Sequence, residues 1–153
     1  MSDNQKLIAQ NKKARYEYSI LDTVEAGVVL LGSEVKSCRR GGASLKESYA
    51  RIEQGEIYLV NARISPYPYA NRFNHEPLRK RKLLFHRAEI KKLYGKLREK
   101  GQSFVPLKLY FNNKGKIKLE MALVKGKKMH DRREAIRSKD MKREAAKELK
   151  YRG

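Results

Sequence analysis

The chain has 153 residues, with 37 Lys and Arg against 17 Asp and Glu and a formal net charge of +20 at pH 7. That length fits one domain with at most an appendage, and 40% hydrophobic residues can fill a modest core beneath a wet surface, in keeping with a mean hydropathy of −0.80. No apolar run approaches the roughly 20 residues of a membrane span, residues 1–18 hold no apolar stretch of signal-peptide type, and the single Cys38 excludes an internal disulfide and a cysteine-cluster zinc site.

In chain order, Tyr16, Tyr18 and Ile20 alternate with polar neighbours and predict a half-buried strand. Val28-Val29-Leu30-Leu31, bracketed by Gly27 and Gly32, predicts another that continues towards Val35. Residues 49–52 and 57–60 flank Glu53-Gln54-Gly55-Glu56 and predict a hairpin. No regular element is expected over 65–81. Ser65-Pro66-Tyr67-Pro68-Tyr69 is rigid, extended and aromatic, and it leads through Asn74-His75-Glu76-Pro77 to the basic run Arg79-Lys80-Arg81-Lys82. Rings beside cations suit RNA bases and phosphates, and equally suit a solvated loop packed by its own tyrosines. Ile90, Leu93, Tyr94 and Leu97 predict a helix over 87–100 closed by Gly101. Leu107, Leu109 and Phe111, the turn Asn112-Asn113-Lys114-Gly115, and Ile117, Leu119, Met121 and Leu123 predict a second hairpin, with Lys116, Lys118 and Glu120 on its polar face. Pro106 sits near the strand start. The expected fold is mainly β: a small antiparallel barrel, closed or nearly so, of the five-stranded oligonucleotide-binding (OB-fold) type with accessory α-helices.

The charge is divided. Residues 126–153 hold eleven Lys and Arg and five Asp and Glu, a net of +6, which leaves +14 on residues 1–125. The tail's sizeable apolar residues, Met129, Ile136, Met141, Leu149 and Tyr151, form no narrow stripe at helical spacing, so it cannot bury a core of its own. Acid–base pairs three apart (Glu134/Arg137, Asp140/Arg143, Glu144/Lys147) favour helix once a partner is present. The reading is a barrel domain over 1–125 and a basic, conditionally helical tail over 126–153. With no Trp and no cationic helix bearing bulky apolar anchors, the polyanionic partner is nucleic acid rather than membrane.

Nothing in the chain composes a catalytic centre. His75, His86 and His130 are scattered, no HExxH or phosphate-binding glycine loop occurs, and the carboxylates are mostly flanked by Lys or Arg. Cys38 precedes Arg39-Arg40, but a lone Cys at a strand end is usually a small buried apolar residue. The expectation is no catalytic residue, no metal, no cofactor and no small-molecule substrate.

Four strings carry a family resemblance. Residues 25–37, Glu25-Ala26-Gly27-Val28-Val29-Leu30-Leu31-Gly32-Ser33-Glu34-Val35-Lys36-Ser37, followed by Arg39 and Gly41, resemble the signature of bacterial small protein B, the SsrA-binding protein family. Asn11-Lys12-Lys13-Ala14-Arg15-Tyr16-Glu17-Tyr18 is similar to its lead-in. Arg81-Lys82-Leu83-Leu84-Phe85-His86 with Glu89-Ile90 and Leu93-Tyr94-Gly95 is similar to its central segment. Gly126-Lys127-Lys128-Met129-His130-Asp131-Arg132-Arg133 is similar to its tail motif. Cys38 stands where the family more often has an aliphatic residue, and Arg132 where it more often has Lys.

The resemblance implies an OB-type barrel that binds the tRNA-like domain of transfer-messenger RNA (tmRNA) and carries it to stalled ribosomes for trans-translation. The tail would become helical in the vacant mRNA channel and decoding centre of the small subunit, against ribosomal RNA. It implies a cytoplasmic monomer, one per tmRNA, with no membrane partner. Glu25, Leu84 and Lys118 fall on family positions implicated in tmRNA binding, with Lys12, Arg15 and Lys36 as further phosphate contacts. Gly126, Lys127, Lys128, His130, Asp131, Arg132 and Arg133 fall on the ribosome-facing tail. The alternatives are a basic ribosomal protein or other RNA-binding module with no rescue role, and, third, a ribonuclease.

Overall fold

The computed structural model describes residues 5–70, 73–99 and 101–126. Its elements are β1 (Lys6–Gln10), α1 (Ala14–Glu17), β2 (Tyr18–Val28), α2 (Gly32–Arg39), β3 (Ala43–Ser44), β4 (Tyr49–Glu53), β5 (Glu56–Val60), β6 (Arg63–Ile64), β7 (Arg81–Leu84), α3 (Arg87–Leu97), β8 (Gln102–Phe111) and β9 (Ile117–Gly126). Seven strands join one antiparallel sheet in the order β1-β8-β9-β2-β7-β5-β4, and β3 pairs with β6 in a small second sheet. The sheet curls until β4 lies against β8, yet no ladder joins those two strands. The barrel is therefore OB-like but open, and larger than the five strands expected.

The two predicted hairpins form at β4–β5 and β8–β9, where alternation puts apolar side chains on one face. That face carries Ala26, Ile57, Leu59, Leu83, Leu109 and Leu119, with Phe85 and Leu93 packed over it. Near the other end of β9, Ala122 and Val124 join a second cluster with Ala14, Val105 and Leu107. Met121, Ala122, Leu123 and Val124 are consequently all buried, and this stretch of β9 is covered on both faces. Pro106 lies opposite Met121 beside a bulge that ends before Lys108, and Asn11 Nδ2 donates to its carbonyl at 3.1 Å. The interrupted ladder accommodates the missing N–H.

Several expectations change. The apolar run 28–31 does not continue as a strand: β2 ends at Val28, and Val35 belongs to α2. The helix starts because Glu34, in its first turn, accepts a 2.8 Å hydrogen bond from the Leu31 N–H. Cys38 accordingly lies on a helix, not at a strand end. Tyr16 falls in the short helix α1, and the edge strand β1 was not anticipated. Helix α3 ends at Leu97, three residues before the expected end, and Gly101, at φ +83°, bends the chain into β8. Gly126 is the last residue of β9, opposite Tyr18. Residues 127–153, and with them the expected conditional helix, lie outside the described residues.

Candidate nucleic-acid interface

Three of the residues singled out in the sequence lie on separate strands that converge on Gly27. Strand β2 pairs with β9 along most of its length and with β7 at its end, and Gly27 belongs to both ladders, opposite Lys118 on one side and Leu84 on the other. Directly paired residues share a face, as do residues two apart on one strand. Leu84, Lys118 and Glu25 therefore emerge together on the outer face, while Ala26, Leu83 and Leu119 fill the core behind them. A β-carbon at Gly27 would stand 3.2 Å from Leu84 Cδ1. The missing side chain is what lets Leu84 cross the strand. Leu84 is 51% exposed, although an apolar residue in Leu-Leu-Phe would ordinarily be core.

This face also holds Tyr110, which the sequence did not single out, and Glu120, which it placed only on the polar side of the hairpin. Tyr110 lies opposite Lys118, and its hydroxyl donates to Glu25 Oε2. Burial, and then the Glu25 carboxylate, push the Tyr110 phenol well above its ordinary value, so it remains a donor. Glu120 faces Glu25 across the ladder, and its Oε1 is buried with no hydrogen-bond partner among the described residues. The face thus presents an oriented carboxylate, an orphaned acceptor, Lys118 with Lys108 opposite Glu120, and an exposed leucine. Tyr110→Phe is expected to keep the fold and lower stability by about 1.5–3 kcal/mol, the net worth of a single hydrogen bond to a charged group, as read by thermal melting. A loss several times larger would mean that Tyr110 holds more than Glu25.

The basic run divides by strand alternation. Lys82 points outward with Leu84, whereas Arg81 points inward and is 1% exposed. Arg81 meets the fully buried Glu34: its Nε donates to Oε2 at 2.7 Å and its Nη2 lies 2.6 Å from the same oxygen. Arg81 Nη1 donates to the Ala62 carbonyl at 2.8 Å. Arg79 donates to both carboxylate oxygens, at 3.0 Å from Nε and 2.7 Å from Nη2. Burial alone would raise the Glu34 carboxyl, but hydrogen bonds from Arg79, the Leu31 N–H and Arg81 outweigh it and hold the group below its ordinary value. Lys80 pairs with Glu53, and Lys82 lies 3.6 Å from Glu56. This run is largely committed to the protein, which removes most of its expected role as an RNA-facing loop.

The remaining candidates lie elsewhere. Lys12 and Arg15 lie a few residues before Tyr18, where β2 begins. That is the opposite end of β2 from Gly27, a span of about 25–30 Å at strand rise. Lys36, on α2, places its Nζ 5.6 Å from the Tyr67 ring centroid. His75 is buried: its Nε2 donates to the Ile64 carbonyl at 2.8 Å, which leaves Nδ1 to accept from the Ser33 hydroxyl at 2.8 Å in the neutral ring. His86 is the N-cap of α3. Cys38 is buried, and that burial pushes its thiol up to about 11. Among the described residues no group of three or more His, Cys, Asp and Glu could hold a metal ion, and no helix is long and apolar enough to cross a membrane.

A family model described as "SmpB protein" matches residues 8–151. This chain belongs to the SmpB family. It is 58% identical over 145 residues to an SsrA-binding protein of Symbiobacterium thermophilum, covering 95% of this chain and 92% of that one. It is 54% identical over 147 residues to the SsrA-binding protein of Moorella thermoacetica, covering 96% and 95%. A solved chain described as "tmRNA-SmpB: a journey to the center of the bacterial ribosome" is 49% identical and superposes with a TM-score of 0.65, covering 78% of this chain and 83% of that chain. In the SmpB-family chain described here, the outer face around Gly27 is the surface where three strands bring chemically distinct, solvent-facing groups together.

Proposed function

We propose that the outer face around Gly27 binds the tRNA-like domain of tmRNA, and that the chain delivers this RNA to stalled ribosomes in the cytoplasm. The reading rests above all on the convergence of Glu25, Leu84 and Lys118 from three strands onto one glycine, taken with family membership. Lys118 meets a phosphate. The carboxylates of Glu25 and Glu120 repel phosphate, so they accept from base amino groups or 2′-hydroxyls. Leu84 offers an apolar surface to an unstacked base. These groups recognise RNA by shape and hydrogen bonding and perform no bond-breaking step. The tail that follows Gly126, including Lys127, Lys128, His130, Asp131, Arg132 and Arg133, supplies a second contact, with ribosomal RNA in the mRNA channel. Division of the charge between barrel and tail supports this assignment.

The deciding experiment is recovery of the tagged full chain from a bacterial lysate, with sequencing of the RNA it carries. The expected result is enrichment of tmRNA over ribosomal RNA. Stoichiometric recovery with every ribosome and no tmRNA enrichment would favour a ribosomal protein instead. Purified Lys118→Ala is expected to bind tmRNA more weakly, with the slope of log affinity against log salt smaller by about 0.7–0.9, the contribution of one phosphate contact. An unchanged slope would take Lys118 out of the interface.

A further inference from the structure

The aromatic segment after β6 has a property that the Gly27 face does not explain. Tyr67 and Tyr69 meet edge to face, with ring centroids 5.5 Å apart. Two cations of α2 and its C-cap reach these rings: Lys36 Nζ is 5.6 Å from the Tyr67 centroid, and Arg40 Cζ is 6.0 Å from Tyr67 and 5.2 Å from Tyr69. Nonetheless Tyr69 is 70% exposed. A loop packed by its own tyrosines would bury that ring.

The cations matter as much as the rings. Arg79, Lys80, Arg81 and Lys82 are paired with Glu34, Glu53 and Glu56. Among the described residues, Lys36 and Arg40 form no ion pair with a carboxylate, so their charge remains available to an anion. A cation against a ring face at an exposed site gains only a weak attraction. That is enough to bias a side chain's position and too little to retire its charge.

The segment is also held in place. Pro66 and Pro68 restrict the residues around Tyr67. Asn74 brackets Tyr67, its Oδ1 accepting from the Tyr67 N–H at 3.1 Å and its Nδ2 donating to the Tyr67 carbonyl at 2.9 Å. The Ser37 hydroxyl of α2 donates to the Ser65 carbonyl at 2.6 Å, and the Ser65 N–H donates to the Gly42 carbonyl at 2.8 Å. Buried His75 ties the far side to Ser33 and Ile64. Because the rings and cations are positioned beforehand, less ordering cost remains to oppose binding.

An exposed ring and a half-buried one, set among uncommitted cations on a rigid frame, match what an unpaired nucleic-acid strand requires: faces for bases and charges for the phosphates between them. We propose that Tyr67, Tyr69, Lys36 and Arg40 form a second RNA site that shares no residue with the Gly27 face and binds an unpaired stretch of RNA, a base stacking on Tyr69 and neighbouring phosphates meeting Lys36 and Arg40. It rests on the reading of the chain as an RNA-binding protein and adds an independent surface to it.

The test uses the purified full chain and a 12-nucleotide single-stranded oligouridylate carrying 5-iodouridine, which photocrosslinks to a stacked ring. The crosslink is expected at Tyr69 or Tyr67 by peptide mapping. Tyr69→Ala is expected to weaken oligonucleotide binding about tenfold, within the range for loss of one stacked base, while Tyr69→Phe binds as the parent does. Arg40→Ala should reduce the salt slope by about 0.7. Lys118→Ala should leave the Tyr69 crosslink intact while weakening tmRNA binding. Crosslinks found only at other residues, with Tyr69→Ala binding like the parent, would overturn the second site while tmRNA binding stood. Loss of poly-glutamate binding in Tyr69→Ala equal to the loss of RNA binding would assign the patch to an acidic protein and overturn it too. Absence of tmRNA binding by the parent chain would overturn the wider reading instead.

Discussion

Truncation after Gly126 is expected to leave tmRNA binding within about threefold of the full chain while abolishing tagging of nascent chains on stalled ribosomes. The described sheet is complete at Gly126, whose backbone pairs with Tyr18, and every residue of the Gly27 face precedes it. What truncation removes is a net charge close to +6. Charge of that kind strengthens RNA association through counterion release without selecting a sequence, so the residual effect on tmRNA should shrink as salt rises. Filter binding over a salt series and a reconstituted tagging reaction measure the two halves. If both activities fell together, the tail would belong to the tmRNA site, and the division at residue 126 would be wrong. If both survived, the tail would have no part in the delivery step.

The second large effect concerns Glu34. Glu34→Gln preserves shape and removes the charge that compensates two guanidinium groups, one of them buried. Loss of one partner in such a pair costs about 3–5 kcal/mol, which for a chain of this size lowers Tm by roughly 6–20 °C. Because the folded state holds this carboxyl below its ordinary value, the stabilisation is fully present above about pH 4.5 and disappears as pH falls through the lower folded value. Melting the parent and Glu34→Gln from pH 7 to pH 3 should therefore show two curves that converge on the acid side. A constant gap down to pH 3 would mean that charge at Glu34 is not what stabilises α2 against β7. Below its own melting temperature, Glu34→Gln should still bind tmRNA, since Glu34 is wholly buried and cannot reach a ligand.

The same glutamate explains what the sequence conceals. Hairpins β4–β5 and β8–β9 and helix α3 are legible because apolar residues carry the period of each element. Helix α2 has an equally regular set of buried positions, at 34, 37 and 38, but they are Glu, Ser and Cys. Hydropathy is blind to a buried face whose contacts are ion pairs and hydrogen bonds, and the neighbouring Val28-Val29-Leu30-Leu31 run draws the reading towards a strand. Strand β1 pairs only at one edge and has no fully buried residue, so it has no clean alternation to detect. The inward turn of Arg81 depends on a partner 47 positions away. For the proposed RNA-binding face, Glu25, Leu84 and Lys118 are visible through the family pattern, yet what joins them is the register of β2 with β7 and β9 at Gly27. Glu120 shows in the sequence only as a polar-face neighbour of Lys118, and its place opposite Glu25, like that of Tyr110, enters through that register.

Cys38, on the buried face of α2, lies beside this buried network, with its thiol pushed up to about 11. At neutral pH almost none of it is thiolate, the form that attacks electrophiles, and 2% exposure keeps reagents away. The chain therefore comes with a chemically silent thiol. A maleimide dye placed on a single new cysteine in the exposed β8–β9 turn, such as Lys114→Cys, would report from that position alone, with no need to replace Cys38. Labelling at position 38 would itself signal that α2 had opened, so the native thiol doubles as a built-in alarm for unfolding of the region that Glu34 holds shut.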